Sequence, residues 1–276
     1  MGTSSAYGGP GGGTPIVPTW LGPGDAPSDA PPPTPPSDKP HIPVMANPNR
    51  FTAARGNFTR FAQSGGSDRA SLGRAVSGYV STSSGGARQA AQRMGASRGA
   101  GSRLLNFLTN AQVHGAREAL RALNLERLAG RPIDEVFVGL ADYICPNAGT
   151  VDEGIAREAF VETIIELTTL GVTDLDALTP DQMQTVFELY ATHAIEARLC
   201  NDIGMKLITA PSNEQTALRV QEQLRDFIRN AVSDALTSAR AETPVLALDR
   251  VQLFVDTVYE SAFGILQALG DLEAAL

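Results

Sequence analysis

Residues 179–199 read TPDQMQTVFELYATHAIEARL, and this stretch decides the fold class. Thr179 is an N-cap residue, Pro180 stands at the first helical position, and Gln182 is placed to reach back to the cap. Val186, Phe187, Tyr190, Ala194, Ile195 and Leu199 follow at helical spacing. The same grammar recurs on both sides. Downstream, Ser212-x-x-Gln215 opens a long helix to about Arg240, with Leu218, Leu224, Phe227, Ile228, Ala231 and Ala235 on one side. Thr243-Pro244 opens a last helix that buries Val251, Phe254, Val255, Val258, Ala262, Ile265, Leu266 and Leu269.

Upstream, Thr150-Val-Asp-Glu153 is a capping box, Ile155, Phe160, Ile164, Leu167 and Leu170 form the inward face, and Gly171 is the C-cap. A helix over about 132–144 is expected to turn Ile133, Val136, Phe137, Leu140 and Tyr143 or Ile144 inward, and a looser apolar run from Leu104 to Leu123 is weakened by Gly115. After residue 100 nothing combines β-branched enrichment with period-two alternation. The prediction is all-α, an irregular bundle of about six helices over residues 103–276.

Two segments precede that bundle. Residues 1–45 contain twelve of the eighteen prolines and eight glycines, and are read as a disordered Gly/Pro-rich tether. Pro31 to Pro36 is expected as an extended polyproline-like spacer. Into this polar stretch are set Tyr7, Ile16, Val17 and Trp20, the only tryptophan in the chain. Residues 46–102 are rich in Gly, Ser, Ala and Arg and are read as a basic linker, with short helices at about 70–80 and 87–94.

Charge follows the same division. Residues 1–45 carry net −2; residues 46–132 carry thirteen arginines against Asp68, Glu118 and Glu126; residues 133–276 carry eight bases against twenty-four acids. Such asymmetry points to a basic segment that meets an anionic partner or the chain's own acidic body. Arg50, Arg55, Arg60 and Arg74 interleave with Phe51, Phe58, Phe61 and Tyr79, a mixture that also suits single-stranded nucleic acid. Arg88, Arg93, Arg98 and Arg103 recur every five residues, which does not align them on one helical face.

Catalytic chemistry finds little support. His41, His114 and His193 lie in three different segments. His193 has Glu196 three residues on and Cys200 seven on, a conceivable metal face or enzymatic centre, against which stands a surface or half-buried histidine. Cys145 and Cys200 form no C-x-x-C pair and are expected as ordinary buried thiols in a reducing cytosol. Lysine occurs only at positions 39 and 206, and no phosphate-binding loop or dinucleotide fingerprint is present. No cofactor is expected. No apolar run reaches the length of a membrane span, the N-terminus lacks the pattern of a secretory signal, and Ala6 departs from the myristoylation pattern.

Met1-Gly2-Thr3-Ser4-Ser5, then Gly8-Gly9-Pro10, then Pro15-Ile16-Val17-Pro18-Thr19-Trp20, resembles the start of the QatB family of the four-gene Qat anti-phage defence system of bacteria. The resemblance continues at Gly85-Gly86-Ala87-Arg88, at Arg93-Met94-Gly95-Ala96-Ser97-Arg98, and through the helical part. It implies a non-enzymatic protein encoded beside an ATPase, a QueC-like enzyme and a TatD-like nuclease. QueC enzymes activate the carboxylate of a 7-deazaguanine with ATP and let an amine attack it. A small second residue lets the initiator methionine be removed, so the amine of Gly2 is the expected acceptor. Tyr7, Ile16, Val17 and Trp20 would anchor the tether on the partner, and Arg88, Arg93, Met94 and Arg98 would make further partner contacts. The alternative is a nucleic-acid-binding recruitment subunit that uses residues 50–103.

Overall fold

Ten α-helices carry the chain in a computed structural model that describes residues 49–146, 149–169, 171, 173–203, 214–243 and 246–275. They are α1 (Thr52–Gln63), α2 (Arg69–Gly78), α3 (Ala87–Gln92), α4 (Gly95–His114), α5 (Ala116–Ala122), α6 (Ile133–Ile144), α7 (Val151–Thr169), α8 (Pro180–Ile203), α9 (Glu214–Glu242) and α10 (Val251–Ala274). Among the described residues there is no strand. The tether of residues 1–45 lies outside the described residues, as do His41 and the cap at Ser212.

The helix boundaries follow side-chain chemistry. Thr150 and Glu153 close the capping box reciprocally, the Thr150 N–H donating to Glu153 Oε2 at 2.9 Å and the Glu153 N–H to Thr150 Oγ1 at 3.3 Å. Thr179 and Gln182 do the same at 2.9 and 3.2 Å before α8. Gly171 takes φ 71°, the left-handed conformation that ends α7. Gly115 takes φ 87° and divides the expected Leu104–Leu123 helix into α4 and α5. The last helix starts at Val251, after a 3-10 turn over Leu248–Arg250, and not at Thr243-Pro244.

Residues 46–102 depart most from the reading as a linker. A boundary at 102 falls inside α4, and α1 to α3 contribute to one apolar core shared with α4 to α10. α2 packs along α10, and α1 against α2. The physical reason is visible in the residues: Phe51, Ala54, Phe58, Phe61 and Ala62 recur at helical spacing and are all buried, as are Leu72, Val76, Tyr79 and Val80. Seven aromatic or branched side chains in those two stripes bury enough area to order a segment that is otherwise small and polar. The α2–α10 crossing is unusually close because glycines face each other. A Cβ on Gly73 would lie 2.5 Å from the Gly270 carbonyl oxygen, and one on Gly270 would lie 2.7 Å from that of Gly73. After α2 the helix widens into a π-helical turn over Tyr79–Ser83, whose hydroxyls bond the backbone: Ser81 to Ser77 O and Ser83 to Arg50 O, each at 2.7 Å.

Candidate functional site

The basic and acidic halves of the sequence meet at the end of α8. The Asp202 carboxylate accepts hydrogen bonds from the Tyr79 hydroxyl at 2.9 Å and Arg198 Nε at 3.1 Å, and Arg93 lies 3.6 Å away. Arg198 reaches further to Asp152 at 3.0 Å, and the second Asp152 oxygen accepts the Ala96 N–H at 2.9 Å, which ties the first turn of α4 to α7. Arg55 donates to the Asp202 carbonyl oxygen at 2.8 and 3.1 Å. Phe51 stacks on Tyr79 with centroids 5.6 Å apart, and the guanidiniums of Arg50, Arg93 and Arg55 lie 4.7, 5.2 and 5.8 Å from the Phe51 centroid. Burial, reinforced by Asp202, pushes the Tyr79 phenol well above its ordinary value, so the hydroxyl stays a donor. Burial disfavours the Arg198 charge, but Asp202 outweighs it and holds the guanidinium firmly protonated.

The other arginines of the segment are engaged in the same way. Arg69, Arg88 and Arg98 pair with Glu273, Glu260 and Asp256 along α10 at 3.0, 3.1 and 2.6 Å. Arg103 Nε donates to the Ile144 carbonyl at 2.8 Å. The five-residue spacing thus resolves into four different partners on α8, α10 and α6. Of the residues expected to touch a partner, Arg88 is exposed, Arg93 and Arg98 are half-buried in ion pairs, and Met94 is fully buried in the core. In this fold Met94 presents no surface to a partner. Phe51, Phe58, Phe61 and Tyr79 are buried too, which removes the stacking platform that the nucleic-acid reading needs. Gly2, Tyr7, Ile16, Val17 and Trp20 lie outside the described residues.

A second polar cluster surrounds His193, which is 3 % exposed and not a surface residue. Its Nε2 is 2.9 Å from Glu166 Oε2, and its Nδ1 is 3.8 Å from Glu196. Arg229 pairs with Glu166. Arg225 Nε donates to Glu196 at 2.8 Å and Gln221 donates to it at 3.2 Å. Burial favours the neutral form of Glu196, but the bonds with His193 and Arg225 prevail and hold its carboxyl below the usual range. A cavity of about 180 Å³ beside the cluster is lined by His193, Glu196 and Cys200, so the fold does bring those three together. Burial pushes the Cys200 thiol up to about 12, with Glu196 and Glu158 adding to it, which leaves it a weak nucleophile. Cys145 is pushed up to about 11 by burial despite Arg103 and Arg157 nearby. Among the described residues no group of three or more His, Cys, Asp or Glu side chains is arranged to hold a metal ion.

An apolar groove of about 390 Å³ lies at the other end of α8, lined by residues of α4, α8, α9 and α10 and of the α9–α10 connection. Leu105, Met183, Phe187, Leu236 and Phe254 form its floor, Val113 stands exposed at the rim, and Arg240 on its wall donates to Gln184. The Phe187 and Phe254 rings are 6.4 Å apart and tilted by 48°.

Among the described residues, fold and clusters together define an all-helical body whose charged networks join its own helices and which carries an apolar groove at one end of α8. None of the described helices is long and apolar enough to cross a membrane. The chain belongs to the QatB family: the family model described as Qat anti-phage system associated protein QatB matches residues 85–266. The match begins at Gly85-Gly86-Ala87-Arg88 and takes in Arg93-Met94-Gly95-Ala96-Ser97-Arg98, while the N-terminal stretch precedes it. No curated protein and no solved structure matches the chain. A role in the Qat anti-phage system follows from the family.

Proposed function

We propose that the chain acts within the Qat system as a non-catalytic adaptor, and that the amine of Gly2 is the acceptor for a QueC-like partner enzyme. The observation that carries this reading is where the basic segment's side chains go. Arg55, Arg69, Arg88, Arg93, Arg98 and Arg103 contact the chain's own acids and carbonyls, and the interleaved aromatics lie in its core. The residues left to recognise a partner by apolar contact include Tyr7, Ile16, Val17 and Trp20, on the same segment as Gly2.

The chemistry is simple. An α-amine has a pKa of about 8, so a useful fraction is neutral at cellular pH. Glycine has no side chain to obstruct a narrow active site. The neutral amine attacks the activated acyl carbon of the deazaguanine carboxylate. A C–N bond forms, the bond from the acyl carbon to the activating group's oxygen breaks, and the nitrogen loses a proton to solvent. The product is an amide at the N-terminus. The anchors would hold the tether on the enzyme while Gly2 enters the site. In this reading the chain works in the cytoplasm beside the system's ATPase and TatD-like nuclease.

Mass spectrometry of the intact protein and its N-terminal peptide, expressed alone and with the QueC-like partner, tests the proposal. An added mass on Gly2 that requires active partner, and that disappears in Gly2→Pro, is the expected result. A bare Gly2 beside an active partner overturns the acceptor role.

A further inference from the structure

We infer that the guanidiniums of Arg50 and Arg93, with Arg55 beside them, form a binding site for one phosphoryl dianion: inorganic phosphate or the terminal phosphate of a phosphomonoester. The inference goes beyond the acceptor role and does not rest on it.

Hydrogen bonding sets these two arginines apart. Every other half-buried arginine among the described residues donates at least one side-chain hydrogen bond. Arg50 and Arg93 are half-buried as well and donate none among the described residues. Nη1 of Arg93 is buried without an acceptor, and its ion pair with Asp202, at 3.6 Å, is too long for a hydrogen bond. A buried donor left unpaired is costly, so the fold holds this guanidinium against a penalty that an acceptor would remove. Ser84, just beyond the π-helical turn, carries a further buried hydroxyl with no partner.

Charge gives the class of ligand. Around the Phe51–Tyr79 stack the guanidiniums of Arg50, Arg55, Arg93 and Arg198 stand against two carboxylates, Asp202 and Asp152. Arg55 meets only a carbonyl oxygen, so its charge is not neutralised. Burial, with Arg50 and Arg198 adding to it, outweighs Asp202 and Tyr79 and lowers the Arg93 guanidinium from its ordinary value. The surplus is two positive charges. A phosphomonoester carries about −1.5 to −2 at pH 7, whereas a carboxylate or an internal phosphodiester brings a single charge. Guanidinium forks also match phosphate oxygens in pairs.

The donors converge before any ligand arrives. The Cζ atoms of Arg50, Arg93 and Arg55 lie 4.7, 5.2 and 5.8 Å from one point, the centre of the Phe51 ring. The Ser83 hydroxyl fixes the Arg50 carbonyl at 2.7 Å, and the Asp202 carbonyl fixes Arg55. All three arginines keep part of their surface in solvent, so the site is open to a small anion. A polynucleotide suits it poorly, because the aromatics that would stack its bases are in the core.

The test is calorimetric titration of the full chain at fixed ionic strength, with arginine Nε–Hε NMR signals followed in parallel. The probes are inorganic phosphate, AMP, cyclic AMP and acetate. One phosphate or one AMP per chain should bind and shift arginine signals, while cyclic AMP and acetate at the same concentration should not. Tighter binding of AMP than of phosphate would make an ester the ligand, and equal binding the free ion; both support the site. Arg50→Gln should weaken binding about 10–100-fold with its circular-dichroism melt unchanged, since that side chain donates no hydrogen bond. Arg93→Lys, which keeps the charge and loses the fork, should weaken it too. No binding at millimolar probe overturns the inference. Cyclic AMP binding as well as AMP, or acetate as well as phosphate, overturns it by removing the dianion from the recognition. Affinity unchanged in both variants places the anion elsewhere and also overturns it. The outcome is independent of whether Gly2 is modified.

Discussion

Substituting Asp202 with alanine is the sharpest probe of the fold, because one buried carboxylate on α8 joins the π-helical turn after α2 to the residue that caps the end of α3. Its removal leaves the Tyr79 hydroxyl, Arg93 and Arg198 without their shared acceptor, in a place where Tyr79 is 1 % exposed. Each hydrogen bond to a charged group contributes about 1.5–3 kcal/mol, and breaking a buried ion pair by deleting one partner costs about 3–5 kcal/mol. Arg198 retains Asp152, and Arg93 retains the face of Phe51, which limits the loss to that second range. Set against a total stability of about 5–15 kcal/mol, a loss of about 3–5 kcal/mol is a fifth or more. At about 2–4 °C per kcal/mol for a chain of this size, the melting temperature should fall by roughly 6–20 °C. Equilibrium denaturation of wild type, Asp202→Ala, Tyr79→Phe and the double variant measures both the loss and the Tyr79–Asp202 coupling, expected at about 1–3 kcal/mol. Glu260→Ala, which removes only the exposed pair with Arg88, is the internal control at about 0–1 kcal/mol. If Asp202→Ala costs no more than that control, the hub does not hold the amino-terminal helices and the reasoning fails.

Three further outcomes are expected. Gly73→Ala should destabilise by about 1–3 kcal/mol in thermal melts, because the new Cβ meets backbone atoms of α10 at 2.5 and 2.9 Å and the helices must part. Stability should decline as pH falls from neutral into the acid range, partly through Glu196. Its folded-state carboxyl is depressed, so its contribution is present above the ordinary carboxylate range and vanishes as pH drops through the folded value; denaturation midpoints of Glu196→Gln should show a flatter acid limb. Fluorescence anisotropy with a single-stranded oligonucleotide should show no tight, steeply salt-dependent binding, since Phe51, Phe58, Phe61 and Tyr79 are buried; a steep salt slope would show that the arginines are free to take phosphates.

The helix starts at Thr150 and Thr179 were legible because capping is a local interaction: donor and acceptor are three residues apart, and the chain carries both. Gly115 and Gly171 were legible as interruptions for a similar reason, although only the backbone shows that Gly115 ends one helix and begins another. In the segment 50–63 the apolar period, not the basic composition, decides the structure: Phe51, Ala54, Phe58 and Phe61 form one buried stripe, and the interleaved arginines, which by composition suit an external anion, lie on the other faces. Arg198 and Asp202, four residues apart on one helix, carry the only local hint of the hub. Tyr79 lies 123 residues from Asp202, and no spacing rule connects them.

By itself, then, the sequence determined the secondary structure class, most helix ends and the opposed charges of its two folded halves, because propensity, capping and periodicity act over a few residues. Which acid each arginine meets, that Met94 and the four aromatics face inward, and that His193 is shut between two glutamates were decided only in tertiary structure. A charge in sequence has a sign but no partner, and burial alone makes an ion pair's geometry consequential.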